Sequence, residues 1–158
     1  MKKQLISNYD DRQYMLSEDF ELYYYQDKKA VKRTGLHSHP YYEFYFFLEG
    51  NIEAQIHNDC YILSYGDILV IPPYTTHGIF VKNFNIPYRR FDLWINTEFY
   101  EKLSKTSSDF TYFIDLARNE NCYILHTEPI SFNSILSKLY ILFRKKKETG
   151  LDVRRRQS

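Results

Sequence analysis

The feature that most limits the fold is a run of short apolar segments, each closed by a turn signal. The segments cover residues 20–25, 43–48, 52–56, 61–63, 68–71, 79–81 and 88–95, and they are rich in Tyr, Phe, Ile, Leu and Val. Gly35, Glu49-Gly50-Asn51, His57-Asn58-Asp59, Gly66-Asp67, Pro72-Pro73 and Asn85-Ile86-Pro87 divide them. Except between the first two, the gaps between neighbours are too short for the crossover helix that parallel pairing would need. Many short strands in quick succession build a sandwich or barrel. The 16 Tyr and 12 Phe suit that reading, because aromatic side chains pack well on pleated, half-buried surfaces.

The pattern changes after Asn96. Thr97 is placed to cap a short helix holding Phe99, Tyr100 and Leu103, residues 110–117 read as a further helical turn or two, and 123–125 as a brief strand. A long helix is predicted over 128–148, with Thr127 as N-cap and Pro129 in its first turn. Phe132, Ile135, Leu136, Leu139, Leu142 and Phe143 recur at steps of three and four, forming one apolar stripe. Gly150 ends the helix, with Lys145 to Lys147 suitably placed near its C-terminus. The polar first ~20 residues read as an arm or edge strand, a boundary good only to a few positions. The fold class is therefore mainly β, with a β-barrel over 1–96 and a helical appendix over 97–150.

Lys+Arg (21) and Asp+Glu (20) nearly cancel, leaving a formal charge of +1. A chain that grips nucleic acid with its own surface normally carries a clear basic excess. Cys60 and Cys122 are too few for a disulfide scaffold or a thiolate zinc site. No stretch is apolar enough for a signal peptide or a bilayer span, so no membrane partner is expected and the cytoplasm is the default compartment.

The chemistry concentrates in His37-Ser38-His39-Pro40-Tyr41-Tyr42-Glu43, followed by Gly50, Gly66, Pro72 and His77. Two histidines two positions apart on a strand share a face, with Cα atoms roughly 6–7 Å apart. Their imidazoles can then converge on one ion with nitrogen ligands at ~2.1 Å. On a straight strand Glu43 would lie about 20 Å from His37. Pro40 breaks the ladder, and a bend through 40–42 folds Glu43 back toward His39. With His77 arriving from a later strand, three imidazoles and a carboxylate form a site suited to a divalent Zn, Ni, Fe, Mn or Cu ion. A lone histidine near a turn is usually an exposed or hydrogen-bonded residue, so the weight rests on the full spacing.

These residues resemble the two motifs of the cupin superfamily. His37, His39, Glu43 and Gly50 meet the first, His-x-His-x(3,4)-Glu-x(6)-Gly. Gly66, Pro72 and His77 meet the second, which this chain leaves at Tyr74 (often Gly) and Val81 (often Asn). The segments around 66–77 and 39–44 are similar to the N-terminal sensor domains of AraC-type transcription regulators. The resemblance implies a cupin-like (jelly-roll) barrel that binds a small polar effector such as a sugar or organic acid, and a helical segment for homodimerisation. It also implies that DNA is read only through a helix-turn-helix domain absent from this chain, with 151–158 as the linker to it.

Tyr45 and Phe47 alternate with Glu43 and are expected on its inward face, as effector contacts or, for Phe47, as ordinary core. Phe91, Leu93 and Ile95 read as core, against Arg90, Asp92 and Trp94 on the other face. Arg90 either meets an anionic effector or is a solvated surface arginine. Apolar surface at Tyr140, Ile141 and around Leu103 exceeds one stripe and motivates the homodimer. The competing function is a metal-dependent cupin enzyme (dioxygenase, isomerase or decarboxylase). A catalytic pair of other residues is not visible, so the expectation is a sensor and not an enzyme.

Overall fold

The computed structural model describes residues 6–9, 11–29 and 35–149. Its strands are β1 (Phe20–Asp27), β2 (Tyr42–Glu49), β3 (Asn51–Ile56), β4 (Asp59–Tyr61), β5 (Asp67–Ile71), β6 (His77–Asn83), β7 (Tyr88–Ile95) and β8 (Ile124–His126). The helices are α1 (Thr97–Ser104), α2 (Tyr112–Glu120) and α3 (Pro129–Thr149), with one 3-10 turn at Ser108–Phe110. The strands form two sheets, ordered β1-β7-β2-β5-β8 and β4-β3-β6, with every pairing antiparallel. This is a cupin-like β-barrel with a C-terminal helical part, and the seven expected strands of the barrel are all present. None of the helices among the described residues is long and apolar enough to cross a membrane.

Burial separates the two sheets. In β3 buried and half-buried residues alternate, as expected of a strand with one face toward the core and one toward water. In β5 all residues are buried. Ile68 joins a cluster under α3, and Val70, on the same face of β5, joins a second cluster that also holds Tyr42, Tyr100 of α1 and Ile114 and Ala117 of α2. The helices thus cover the outside of the larger sheet. Phe132, Leu136, Leu139 and Phe143 of α3 meet Leu22, Tyr24, Phe46, Leu48, Ile68 and Phe91, with Ile135 and Leu142 partly buried beside them. The predicted stripe is the packed face.

Two motif glycines are required by geometry. Gly50 turns the chain from one sheet to the other at φ +147, and a Cβ there would lie 3.0 Å from Cδ1 of Tyr88. Gly66 has φ +101, and a Cβ would sit 2.6 Å from the Thr127 carbonyl oxygen. Tyr74, where the motif often carries Gly, keeps the backbone that glycine prefers, at φ +63, with its side chain 74% exposed. An L-residue in that region costs roughly 1–2 kcal/mol. Tyr74→Gly relieves this cost and loses some in the freer unfolded chain, so it should raise stability by about 0.5–1 kcal/mol in urea unfolding.

Several local expectations shift. Asn96, not Thr97, caps α1: its Oδ1 accepts from the Glu98 amide at 2.9 Å, and the Thr97 hydroxyl donates to the Pro40 carbonyl. Thr127 does not cap α3, because its hydroxyl donates to the Gly66 carbonyl at 2.7 Å. The fourth strand lies two residues earlier than the expected 61–63, since the tight turn after Ile56 sets Ile56 opposite Asp59. The stop at Gly150 and the linker over 151–158 lie outside the described residues. Within 97–150, β8 pairs with β5 and so extends the larger sheet.

Candidate metal centre and ligand cavity

The four expected metal ligands come together. His37 sits in an isolated antiparallel bridge with His77, each backbone amide donating to the other's carbonyl at 2.9 Å. The chain bends at Pro40 and Tyr41 and returns as β2, which brings Glu43 Oε1 to 2.8 Å from His39 Nε2 and 3.0 Å from His77 Nε2. The bend expected from Pro40 is therefore what reunites Glu43 with His39. Tyr41 stacks on the His39 ring at 3.8 Å with 3° between planes, so the imidazole is held from the side as well.

Each imidazole has its Nδ1 beside a backbone carbonyl: His37 with Gly35 at 2.7 Å, His39 with Tyr41 at 3.1 Å and His77 with Thr75 at 2.7 Å. Beside a carbonyl oxygen Nδ1 must be the donor. In neutral rings that leaves all three Nε2 atoms as lone-pair acceptors. Fixing a ring through the nitrogen away from the ion is the usual support of a metal-binding histidine. Ligand atoms of the three histidines lie within 4.8 Å of one another. Two ligands at ~2.1 Å from one ion sit about 3.0–3.4 Å apart, so a small inward movement of the rings completes the shell. The Glu43–His77 distance of 3.0 Å already matches, and the Glu43–His39 distance of 2.8 Å is slightly shorter than that range.

Electrostatics agree with a cation between these groups. Burial by itself raises the Glu43 pKa, but hydrogen bonds with His39 and His77 outweigh it and hold the carboxyl well below its usual range. Burial lowers His77, and the bond to Glu43 more than reverses that, so its pKa ends raised. Burial lowers that of His37. Neutral Nε2 atoms facing a carboxylate are acceptors facing an acceptor. Either protons or a metal ion must lie between them, and three imidazoles with one carboxylate suit the second.

The centre opens on a cavity of ≈ 80 Å³ between the two sheets, lined in part by His37, Glu43, His77, Tyr45, Tyr88 and Arg90. Tyr45 lines it as expected, and its hydroxyl hydrogen-bonds that of Tyr88. Phe47 does not line it. Four residues carry Phe47 about 13 Å along β2 from Glu43, into the apolar cluster with Ile52 and Ala54. Arg90 is no solvated surface residue: it is buried, its Nη1 donates to Asp27 Oδ2 at 2.7 Å, and its guanidinium lies 4.0 Å from the Tyr88 ring centroid. Burial lowers its pKa, but electrostatic attraction to Tyr88 and Asp27 outweighs that, so its pKa ends raised.

The expected division of β7 is incomplete. Arg90, Asp92 and Trp94 face the cavity, while Phe91 and Leu93 pack under α3, so both faces are internal. Asp92 and Trp94 were not expected at the site. The signal was present in the alternation at 90, 92 and 94, which is regular for a strand, but alternation alone does not say which face looks into the barrel. Burial first, then the neighbouring Glu43 charge, push the Asp92 carboxyl well above its usual range. From the N-terminal segment, Tyr9 and Gln13 also reach the cavity wall.

Residues 28–83 match the family described as the cupin domain. No curated protein matches the chain. Among solved structures, a conserved protein of unknown function from Streptococcus pyogenes is 20% identical, covering 49% of this chain and 65% of that one, with a TM-score of 0.41. A Cupin 2 conserved barrel domain protein from Salinispora arenicola is 16% identical over 66% of this chain and 82% of its own, with a TM-score of 0.45. A salicylate 1,2-dioxygenase from Pseudaminobacter salicylatoxidans is 20% identical over 60% of this chain and 25% of its own, with a TM-score of 0.43. The chain thus spans less than two thirds of the Streptococcus protein and a quarter of the dioxygenase.

Proposed function

We propose that this cupin-type barrel is the ligand-sensing and dimerisation domain of an AraC-type transcription regulator, binding a small polar effector beside a divalent metal held by His37, His39, Glu43 and His77. The observation that carries this reading is the two-sided burial of β7, with Arg90, Asp92 and Trp94 on the cavity and Phe91 and Leu93 against the α3 cluster. A ligand that shifts the inward side chains bears on the helix through one backbone, and close-packed interiors transmit such displacement. The ligand must then bind better to one position of α3 than to another, since an equal affinity shifts nothing. Ile141, 57% exposed on α3, supplies apolar surface for a second copy. DNA would be read by a separate helix-turn-helix region.

A metal in this centre supplies a fixed positive charge and Lewis acidity at the cavity wall. The chain's residues do the rest: carbonyls orient the rings, Glu43 balances charge, and Tyr45, Tyr88 and Arg90 present hydrogen-bonding groups to whatever enters. The second reading is a metal-dependent cupin enzyme. It is favoured by one observation, that His37, Glu43 and His77 themselves line the cavity.

One experiment separates the two. The metal-loaded protein is screened against small sugars and organic acids, and each binder is followed by hydrogen exchange and by proton NMR of the ligand. A sensor slows amide exchange by about tenfold in both β7 and α3, and releases its ligand unchanged. Protection that stops at the cavity wall would end the sensor reading, and a ligand consumed over many turnovers would install the enzyme in its place.

A further inference from the structure

Gly78 stands where neither a turn nor its own backbone asks for glycine. It lies in β6, between His77 and Ile79, and pairs with Gln55 of β3. Among the described residues only Gly50 and Gly66 are glycines with positive φ, so Gly78 keeps a strand conformation open to any residue. Glycine weakens a strand interior, and where it occurs there it often marks the close approach of another backbone. That approach is present. A Cβ on Gly78 would lie 3.2 Å from the Gly35 carbonyl oxygen, 3.3 Å from Cδ2 of Leu36 and 3.4 Å from the Gly35 carbonyl carbon.

The Gly35 carbonyl is the group that accepts from His37 Nδ1 at 2.7 Å. This hydrogen bond keeps the proton on Nδ1 and leaves Nε2 with its lone pair for a metal. The three imidazoles differ in their support. His39 and His77 are 3% and 4% exposed, and their Nε2 atoms lie at Glu43 Oε1. His37 is half-buried and follows two exposed residues, Gly35 and Leu36. Its backbone is pinned to His77 by the paired hydrogen bonds at 2.9 Å, and its ring takes its direction from the Gly35 carbonyl.

We propose that Gly78 is the positioning residue of His37: its bare Cα seats the Gly35 carbonyl, which in turn aims His37 Nε2 at the metal. This role deepens the metal centre and rests on it. A side chain at 78 pushes the Gly35 carbonyl off its seat and away from Nδ1. Nothing then fixes the proton on Nδ1, and the ring can present a donor to the ion where a lone pair is needed. The effect is graded by size. Alanine asks the Gly35 backbone for a few tenths of an ångström, and valine asks for more.

The test titrates Co²⁺, followed by its visible absorption, into wild type, Gly78→Ala, Gly78→Val, His37→Ala and the double variants that join each Gly78 change to His37→Ala. Outer hydrogen-bond partners of metal ligands are worth about 10–100-fold in affinity, and a displaced carbonyl belongs at or below the lower end. Gly78→Val should therefore lose about tenfold and Gly78→Ala about threefold. Both losses should shrink to within about twofold in the His37→Ala background, because a residue that acts through His37 has nothing to move once that ring is gone. A merely structural role, or damage passed to the adjacent His77, would persist there in full. The metal-free proteins supply a second readout. At alkaline pH, long-range proton–nitrogen correlation should show His37 as the Nδ1–H tautomer in wild type and increasingly as Nε2–H in the two Gly78 variants. Losses that survive removal of His37, an unchanged affinity in Gly78→Val, or a His37 tautomer indifferent to both substitutions would overturn the role of Gly78. Gly78→Ala adds a single methyl, so the comparison stands even where valine disturbs β6. Wild type without Co²⁺ bands would overturn the metal centre and this role with it, whereas wild-type bands with no dependence on Gly78 would overturn the role alone.

Discussion

The His77→Ala variant is expected to lose more than about 100-fold in Co²⁺ affinity, exceeding the ~10–100-fold that follows from removing an outer hydrogen-bond partner of a metal ligand. The change removes one of three convergent nitrogens and one of the two imidazoles on Glu43 Oε1. The metal-free protein is affected too, with a sign set by pH. The Glu43 pKa is depressed below its ordinary 4.5, so its contribution to stability is present above that value and disappears as pH falls through the folded pKa. That of His77 is raised above 6.5, so its contribution is complete below that value and disappears as pH rises through the folded pKa. Metal-free wild type is thus most favoured by this pair between about pH 4.5 and 6.5, and His77→Ala loses that bonus. Metal binding runs the other way, strengthening as pH rises, because the imidazoles must shed protons. His57→Ala serves as control, since His57 is exposed on the turn after β3. Retention of Co²⁺ affinity within tenfold in His77→Ala would remove His77 from the centre.

The centre was legible in the sequence because its residues obey short rules. A strand alternates, Pro40 bends, and Gly50 and Gly66 turn where a Cβ would collide with Tyr88 or Thr127. Those rules act over a few residues, and they suffice to bring His37, His39 and Glu43 together. His77 comes from thirty-four positions beyond Glu43, and only the motif spacing pointed to it. The barrel strands were legible too, since each but β4, which is Asp59-Cys60-Tyr61, carries its own apolar run and its own turn.

What was not legible depended on layers. Alternation along 88–95 separates two faces but does not say what covers each. Arg90 read either as an effector contact or as a solvated surface arginine, yet its face looks into the barrel, and Arg90 is tolerated there because Asp27, sixty-three positions away, is paired with it. Phe47 shows the reverse error. It shares a face with Glu43 but not a location, because a cavity is short and a strand is long. Cap assignments failed for a related reason: Thr97 and Thr127 have the right chemistry, but the Pro40 and Gly66 carbonyls, brought near by the fold, take their hydroxyls.

Truncating Phe91 to alanine should have the largest effect on stability. The ring is fully buried, 4.8 Å from the Tyr24 ring, 4.9 Å from Tyr140 and 6.3 Å from Phe143. It is the point where β7 meets both β1 and α3. Deleting a core phenylalanine costs about 3–5 kcal/mol, since the space left is only partly refilled. For a chain of 158 residues that corresponds to a fall in Tm of roughly 6–20 °C, at about 2–4 °C per kcal/mol. The inward face of β7 is held separately, by ladders to β1 and β2, so Co²⁺ affinity should stay within about tenfold of wild type. His77→Ala and Phe91→Ala therefore divide the molecule: one loses the metal with the α3 cluster intact, the other loosens α3 with the metal retained. In the second variant a bound ligand should no longer slow exchange in α3, because the ring that joins the two layers is gone. Continued protection of α3 in Phe91→Ala, or a stability loss below about 1 kcal/mol, would show that β7 is not the link between cavity and helix.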